Sequence, residues 1–496
     1  MKFHYRMKIY NTLSRKIEKF EPINPPGVLM YHCGPTVYWT QHIGNMRAMV
    51  LADLIVRTLE CLDYKVKLTR NYTDVGHLTS DADEGEDKIE KEAIKENTTP
   101  EKIARKYIDV FERDIHLLNI ADPDFKPRAT ENIDDVIKMI QKLIEKGFAY
   151  STDLAIYFDV SKVKNYNKLS KQNLDEQIKG AGKAEVSDSN KKNPTDFALW
   201  FFKTGKHRNA LQTWKSPFTS PLVQNGEGFP GWHIECSVLA NKFLAKTIDI
   251  HMGGVEHIPV HHTNEIAQSE AANGVNFVNY WIHNEHLNVD GNKMSKSEGT
   301  GYSLQKIIDK GFGPISLRYF FLQAHYRSKQ NFTWEALKAS ENALQKLYNF
   351  YLDLGEKSGK PDGIFVAKFK EFIGEDINIP KAVALMWDLI KDNKVKDEDK
   401  KATLLEFDKV FGLGLNNLKK DMSAQAEEIP DEIKKLAQER ELARKNKDWT
   451  QADKIRNEIE SLGYTLKDTK NGCEIHPFHR VKDTNSGSEI KKINSK

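Results

Sequence analysis

The sequence predicts an α/β fold: a parallel-sheet domain split by an insertion, followed by an α-helical bundle and a small C-terminal domain. Three observations carry this. Val28, Leu29, Met30 and Tyr31 form a short apolar run, Met49, Val50, Leu54, Ile55, Leu59 and Leu62 recur at helical spacing, and Tyr64, Val66 and Leu68 alternate. Strand, helix, strand over about forty residues is a βαβ unit, and its strands are parallel. Strand signals return near 247–251 and 280–289, beyond a stretch of different pattern. After Tyr302 the periodicity is helical, with Leu337, Leu344, Leu347, Tyr351 and Leu354 on one face.

At 496 residues the chain has room for roughly three domains of ~150. Its 39% hydrophobic and 29% charged residues are those of a soluble globular protein. No apolar run approaches the ~18 residues of a membrane span, and MKFHYRMKIYNTL lacks a signal-peptide core, so a cytoplasmic protein with no membrane contact is expected. A net charge of +3 is too small to prove a nucleic-acid partner, since a basic patch can hide inside a balanced total. The four cysteines, at 33, 61, 236 and 473, form no CxxC pair. Metal binding or reactivity is therefore a better reading of them than a disulfide framework.

Taken in order, Pro25, Pro26 and Gly27 mark the turn into the first strand. Cys33 falls at that strand's end and His42 to Asn45 at the following helix start, where free N–H groups and the dipole suit a phosphate. Ligands of such sheets sit at the carboxyl ends of the strands, where Cys33 and Thr73 both fall. Residues 81–120 read as charged and helical. Over 130–146, Ile133, Val136, Ile137, Ile140, Leu143 and Ile144 make one helical stripe, with Thr130 as N-cap and Gly147 as stop. Strands are expected over 153–160 and 196–203, around a polar loop at 173–193, and about 125–220 is taken as the insertion. A pair of helices covers about 430–462, with Asp448 as a cap and Ala452, Ile455, Ile459 and Leu462 on one stripe before Gly463. The last residues, 481–496, read as a disordered tail.

Four stretches hold chemistry-bearing residues. MYHCGPTVYWTQHIGNMR, residues 30–47, joins Cys33 and His42 in one strand-to-helix turn, although each alone also reads as a buried cysteine and a surface histidine. GWHIECS brings Cys236, and HMGGVEHIPVHHTNEIAQSE places His261 and Glu265 on one helical face at metal-sharing spacing. Two thiolates, an imidazole and a carboxylate would make a zinc set; a buried cysteine and a helix-surface pair is the other reading, and spacing alone cannot tie the residues together. NVDGNKMSKSEGT, residues 288–300, is a lysine-bearing loop able to clamp a triphosphate, or a solvated surface loop.

HIGN at 42–45 followed by KMSKS at 293–297 resembles the paired signatures of class I aminoacyl-tRNA synthetases. CGPTVY at 33–38, PGWHIECS at 230–237, HHTNEIAQSEA at 261–271 and LNVDGNKMSKS at 287–297 resemble the cysteinyl-tRNA synthetases among them. KIYNTLSRK, NPTDFALW, AHYRSKQNFT and KDWTQADKIRNEI extend the likeness, in order, to about residue 478. The resemblance implies a Rossmann-like catalytic domain in two halves, 1–124 and 221–290, around the 125–220 insertion. The KMSKS loop and a stem-contact region then fill 291–335, a bundle against the anticodon stem 336–425, and a small anticodon-recognition domain 426–480.

It further implies one zinc ion per chain, held by Cys33, Cys236, His261 and Glu265. ATP, with Mg2+, would be handled by His42, Asn45, Lys293 and Lys296, with Lys296 foremost, and Gly253, Gly254 and Glu256 would lie near the adenosine. Cys33, Thr73, Trp232 and His251 would line the amino-acid pocket. The substrates would be L-cysteine, ATP and tRNA(Cys), and a monomer is expected. Neither adenylate formation nor transfer to tRNA needs a protein nucleophile. Three positions depart from the family pattern: Asn45 for the second histidine of HIGH, Glu256 for an aspartate, and Glu298 beside the lysine clamp. Trp449, Arg440, Arg444, Lys445 and Lys447 are candidates for anticodon contact, and read equally as a solvated helix end.

Overall fold

The computed structural model describes residues 7–76, 78–80, 84–172, 188, 190–294, 300–418, 430–446, 448–461, 464–469 and 472–477. The chain forms two compact units, one of residues 1–310, 323–332 and 370–382, the other of 311–322, 333–369 and 383–496. Most of the expected 173–193 loop and all of the expected 481–496 tail lie outside the described residues.

The first unit is built on a parallel four-stranded sheet in the order Val278–Asn284, Ile248–Gly254, Gly27–His32, Lys65–Arg70. Met30 faces Ile250 on one side and Leu68 on the other, and Ile250 faces Tyr280. Val28, Met30, Ile248, Ile250 and Met252 are buried, because a parallel sheet is covered on both faces. The helix Ile43–Cys61 crosses between the two strands of the βαβ unit and buries Met46, Val50, Leu54 and Leu59. Two strands adjacent in the sheet, Gly27–His32 and Ile248–Gly254, are far apart in sequence; the α/β class and the interruption are as the sequence predicts.

Within that interruption lies an antiparallel sheet of four strands, Gly228–Pro230, Phe197–Phe202, Ala155–Phe158 and Ala149–Ser151. Only the middle two are legible beforehand. The strand expected from 153 begins at Ala155, because the Thr152 hydroxyl oxygen accepts the N–H groups of Leu154 and Ala155 and turns the chain. Phe158, Phe202, Trp200, Leu199 and Ile140 form the core between this sheet and the helix Ile133–Glu145. Thr130 is not that helix's N-cap. Its hydroxyl donates to Asp74 Oδ2 at 2.6 Å and its N–H to Asp74 Oδ1 at 2.9 Å, so a 3-10 turn, Ala129–Asn132, precedes the helix.

The stretch read as charged and helical contains helices Lys88–Lys95 and Pro100–Leu117, but opens on an antiparallel pair, Leu78–Ser80 with Glu84–Asp87. Its strands are too short and polar for a period-2 signal. In the second unit, helix Trp334–Asp353 buries Leu337, Leu344, Leu347 and Tyr351, as its periodicity predicts. Helices Asp431–Lys445 and Trp449–Ser461 pack Ile433, Ala437, Ile455 and Ile459 against Leu466 of a terminal hairpin, Tyr464–Thr469 with Gly472–Pro477. The predicted stripe residue Leu462 lies outside the described residues.

Candidate active site

Every strand of the parallel sheet points its carboxyl end to one edge, and the chemistry-bearing residues gather there. Cys33 follows strand Gly27–His32; Cys236 sits one turn into helix Trp232–Phe243; His261 and Glu265 share the first turns of helix His261–Asn273. The Cys33 and Cys236 sulfurs are 4.0 Å apart, Glu265 Oε1 is 3.9 Å from the Cys33 sulfur, and His261 Nε2 is 3.0 Å from Glu265 Oε1. All four residues are buried, and their ligand atoms lie within 4.8 Å of one another, so the group could hold a metal ion.

The charges in this cluster depend on one another. Burial opposes the Glu265 carboxylate, but His251 and His261 outweigh it and hold the group at about 2. Burial likewise opposes charge on His261, but Glu265 and Cys236 draw its pKa up to about 10. The Cys33 hydrogen bond lowers the Cys236 thiol to about 6 against the effect of burial, whereas burial first and Cys236 second push Cys33 up. One thiolate is thus favoured even without a cation, and a divalent ion would favour both.

His251 donates from Nε2 to Glu265 Oε2, 2.8 Å away, and stacks on Trp281 at 4.6 Å. Trp232 stacks on the His261 ring at 4.2 Å, with the planes 19° apart. Thr73 donates its hydroxyl to the buried Glu235 carboxyl at 3.0 Å and accepts from Asn71 Nδ2 at 3.2 Å. Asn71 Oδ1 in turn takes the Gly34 N–H at 3.0 Å, and Gly34 admits no side chain, because a Cβ there would stand 1.6 Å from the Asn71 carbonyl oxygen.

The second predicted cluster, at the helix start, lies nine positions on from Cys33. His42 caps helix Ile43–Cys61: Asn45 N–H donates to His42 Nδ1 at 3.2 Å and His42 N–H to Asn45 Oδ1 at 3.3 Å. This reciprocal box occupies the Asn45 oxygen and leaves its NH2 as the donor face. Met294 returns to this turn, its methyl 3.5 Å from where a Cβ on Gly44 would be. Lys293 pairs through its backbone with Asn288, but its side chain, and all of Lys296 and Glu298, lie outside the described residues. Gly253 and Gly254 end the strand Ile248–Gly254; a Cβ on Gly253 would meet the His257 and His262 rings at 2.6 Å. Glu256 is exposed, 3.7 Å from His286 Nδ1.

The structure therefore brings together Cys33, Cys236, His261, Glu265, His251, Trp232 and Thr73. Buried neighbours that the sequence does not single out include Asn71, His233, Glu235, His262, Trp281 and His283. The His261–His262 doublet was the available signal, since positions three and four before Glu265 both fall on its helical face. Among the anticodon candidates, Trp449 is 60% exposed and Lys445 is exposed, whereas Arg440 is 4% exposed and is withdrawn as a nucleic-acid contact. It lies on the buried face of helix Asp431–Lys445, one turn beyond Ala437. Lys447 lies outside the described residues.

The family described as tRNA synthetases class I (C) catalytic domain matches residues 19–342, and the cysteinyl-tRNA ligase anticodon binding domain matches 426–475. A curated protein of Burkholderia lata, cysteine–tRNA ligase 1, is 44% identical over 95% of this chain and 96% of its own length. The chain belongs to the cysteine–tRNA ligase family. Another cysteine–tRNA ligase, from Treponema denticola, is 40% identical over 93% of this chain and 98% of its own. As a cysteine–tRNA ligase the chain is an aminoacyl-tRNA synthetase, an enzyme that joins cysteine to tRNA. Solved structures extend the fold likeness: Mycobacterium tuberculosis methionyl-tRNA synthetase with methionyl-adenylate shares 14% identity at TM-score 0.50, over 78% of this chain and 90% of that one. The ternary complex of Agrobacterium radiobacter K84 LeuRS with tRNA and LeuAMS shares 11% at TM-score 0.56, over 79% and 84%. Among the described residues no helix is long and apolar enough to cross a membrane.

Proposed function

We propose that this cysteine–tRNA ligase activates L-cysteine with Mg-ATP to cysteinyl-adenylate, transfers the cysteinyl group to the terminal ribose hydroxyl of tRNA(Cys), and selects its substrate by the thiol. One zinc ion per chain, held by Cys33, Cys236, His261 and Glu265, would make that selection. The observation that carries this reading is the convergence of those four buried donors at the carboxyl edge of the parallel sheet. Two sulfurs, one nitrogen and one oxygen are a donor set that suits zinc. When bound, such an ion supplies a soft Lewis acid that bonds a thiolate and gives an alcohol no equivalent, whereas apolar contacts separate close analogues by only ~1–3 kcal/mol.

The chain's own residues do the rest. Thr73, with its hydrogen given to Glu235, keeps a lone pair for a donor such as the substrate ammonium. His251 holds Glu265, and Trp232 braces His261. His42, the Asn45 amide and the N–H groups of the helix start face the phosphates, and Lys293 and Lys296 follow the charge as pyrophosphate leaves. Gly253 and Gly254, whose missing side chains let His257, His262 and Glu256 close in on the strand end, lie with Glu256 near the adenosine. No protein nucleophile takes part. The C-terminal domain reads the anticodon through Trp449, Arg444, Lys445 and Lys447, and the enzyme works as a monomer in the cytoplasm. Cys236→Ala should lose bound zinc and cysteine-dependent ATP–pyrophosphate exchange together. Retention of both overturns the assignment.

A further inference from the structure

Cys33 is the end of a line of polar groups that runs back to Thr12, between the paired strands Lys8–Asn11 and Lys16–Lys19. Its sulfur lies 3.4 Å from His262 Nε2; His262 Nδ1 lies 2.7 Å from His283 Nε2; and His283 Nδ1 lies 2.8 Å from the Thr12 hydroxyl. Each imidazole uses both ring nitrogens. His262, His283 and Cys33 are all buried, and a 2.7 Å contact between two ring nitrogens holds a single hydrogen, so each neutral ring donates at one nitrogen and accepts at the other. The rings are also fixed in place. Trp281 lies 5.0 Å from the His262 ring and stacks on His283 with planes 7° apart, and Thr12 is anchored by its N–H to the Trp281 carbonyl at 2.8 Å.

A row of neutral imidazoles has one hydrogen per link, so fixing one end fixes the direction of every bond. A thiolate only accepts. With Cys33 as a thiolate ligand, His262 must donate from Nε2, His283 must donate from Nε2 to His262 Nδ1, and Thr12 must donate its hydroxyl hydrogen to His283 Nδ1. The same donor atoms permit a second set, Cys33, His251, His262 and Glu265, in which His262 would itself bind the ion through Nε2. Every hydrogen in the line would then point the opposite way, from His262 toward Thr12.

We propose that Thr12, His283 and His262 form a directional hydrogen-bond chain that ends as an N–H donor on the Cys33 sulfur and holds it as a metal-binding thiolate, His262 being a positioning residue and not a ligand. This rests on the zinc site proposed above. Cys236 decides between the two sets: its sulfur lies 4.0 Å from that of Cys33, and the second set leaves it out. Donors around the sulfur hold the ligand's charge and orientation, and loss of such an outer contact costs about 10- to 100-fold in metal affinity.

The test measures zinc affinity by chelator competition in the full-length protein, together with the thiolate-to-metal absorption of the cobalt-substituted form. His283→Phe should weaken zinc about 10-fold or more and shift that absorption, while His283→Gln, which can both accept from Thr12 and donate to His262, should recover most of the affinity. Thr12→Val, at the far end and only half-buried, should lose a few-fold and serves as the second variant should His283→Phe fail to fold. Histidine-selective 15N spectra of the zinc-loaded protein should show hydrogen on Nε2 of both His262 and His283. Nδ1 hydrogens on both, or unchanged affinity in Thr12→Val and His283→Phe alike, overturn the proposal. If Cys236→Ala keeps its zinc, the site reading itself has failed; if Cys236→Ala loses zinc while these variants keep it, only the chain has.

Discussion

Arg47 offers the most demanding test of how the two signature segments are held together. It lies in helix Ile43–Cys61, five positions after the His42 cap, and is fully buried. Its Nε donates to Gln330 Oε1 at 3.2 Å, and its terminal nitrogens donate to the carbonyls of Glu285, of His325 at 3.3 Å and of Ser328 at 3.0 Å. Those acceptors stand on either side of the 293–297 loop in sequence, where Leu287–Val289 pairs in parallel with Gln330–Phe332. Burial lowers the guanidinium to about 10, so it stays charged at neutral pH. Arg47→Lys keeps the charge but replaces a planar five-donor fork by a point charge with three donors, and loses at least one bond of the four. A hydrogen bond to a charged group is worth about 1.5–3 kcal/mol, which for a unit of about 330 residues lowers Tm by about 2–4 °C. Arg47→Met orphans all four oxygens and should cost about 4 kcal/mol or more.

Thermal unfolding by circular dichroism reads the stability, and ATP–pyrophosphate exchange at varied ATP and cysteine reads the function. Because the fork joins the His42 helix start to the segments flanking the loop, KM for ATP should rise more than KM for cysteine in Arg47→Lys. An unchanged Tm together with an unchanged KM for ATP would show that Arg47 is an ordinary buried side chain, and the reasoning fails.

Asp87 caps helix Lys88–Lys95 from a buried position, accepting the N–H groups of Ile89 and Glu90, and burial raises its pKa from 3.8 to about 6. The folded state keeps the proton longer than the unfolded chain, so this group's contribution to stability falls as pH rises from about 4 to about 6, by up to about 3 kcal/mol. Asp87→Asn, an equally good cap, should flatten that slope in urea titrations; an unchanged slope rejects the assignment. Trp449→Ala should raise KM for tRNA in charging assays, since one stacked base is worth about 1–3 kcal/mol, without altering pyrophosphate exchange. An equal loss in both assays would count against a tRNA contact at this position.

Local information in the chain was enough to determine the βαβ unit, the βα turn from Cys33 to a helix starting at His42 to Asn45, the placing of His261 and Glu265 on one helical face, and the helix stripe of Leu337, Leu344, Leu347 and Tyr351. Each depends on neighbours within a few positions, whose periodicity and capping chemistry are written in the residues themselves. The order of motifs from HIGN to KDWTQADKIRNEI also sufficed to indicate the family. Tertiary structure decided the rest. Cys33 and Cys236 meet because a sheet with strand order 278–284, 248–254, 27–32, 65–70 brings distant segments to one edge, and no spacing in sequence encodes that adjacency. Thr130 left its cap for Asp74, because a partner far along the chain competed successfully with local preference, and Arg440 lies on the buried side of a polar-looking helix. The line from Thr12 through His283 and His262 to Cys33 joins four segments, and its direction is set by hydrogen count and burial, which only the folded molecule supplies.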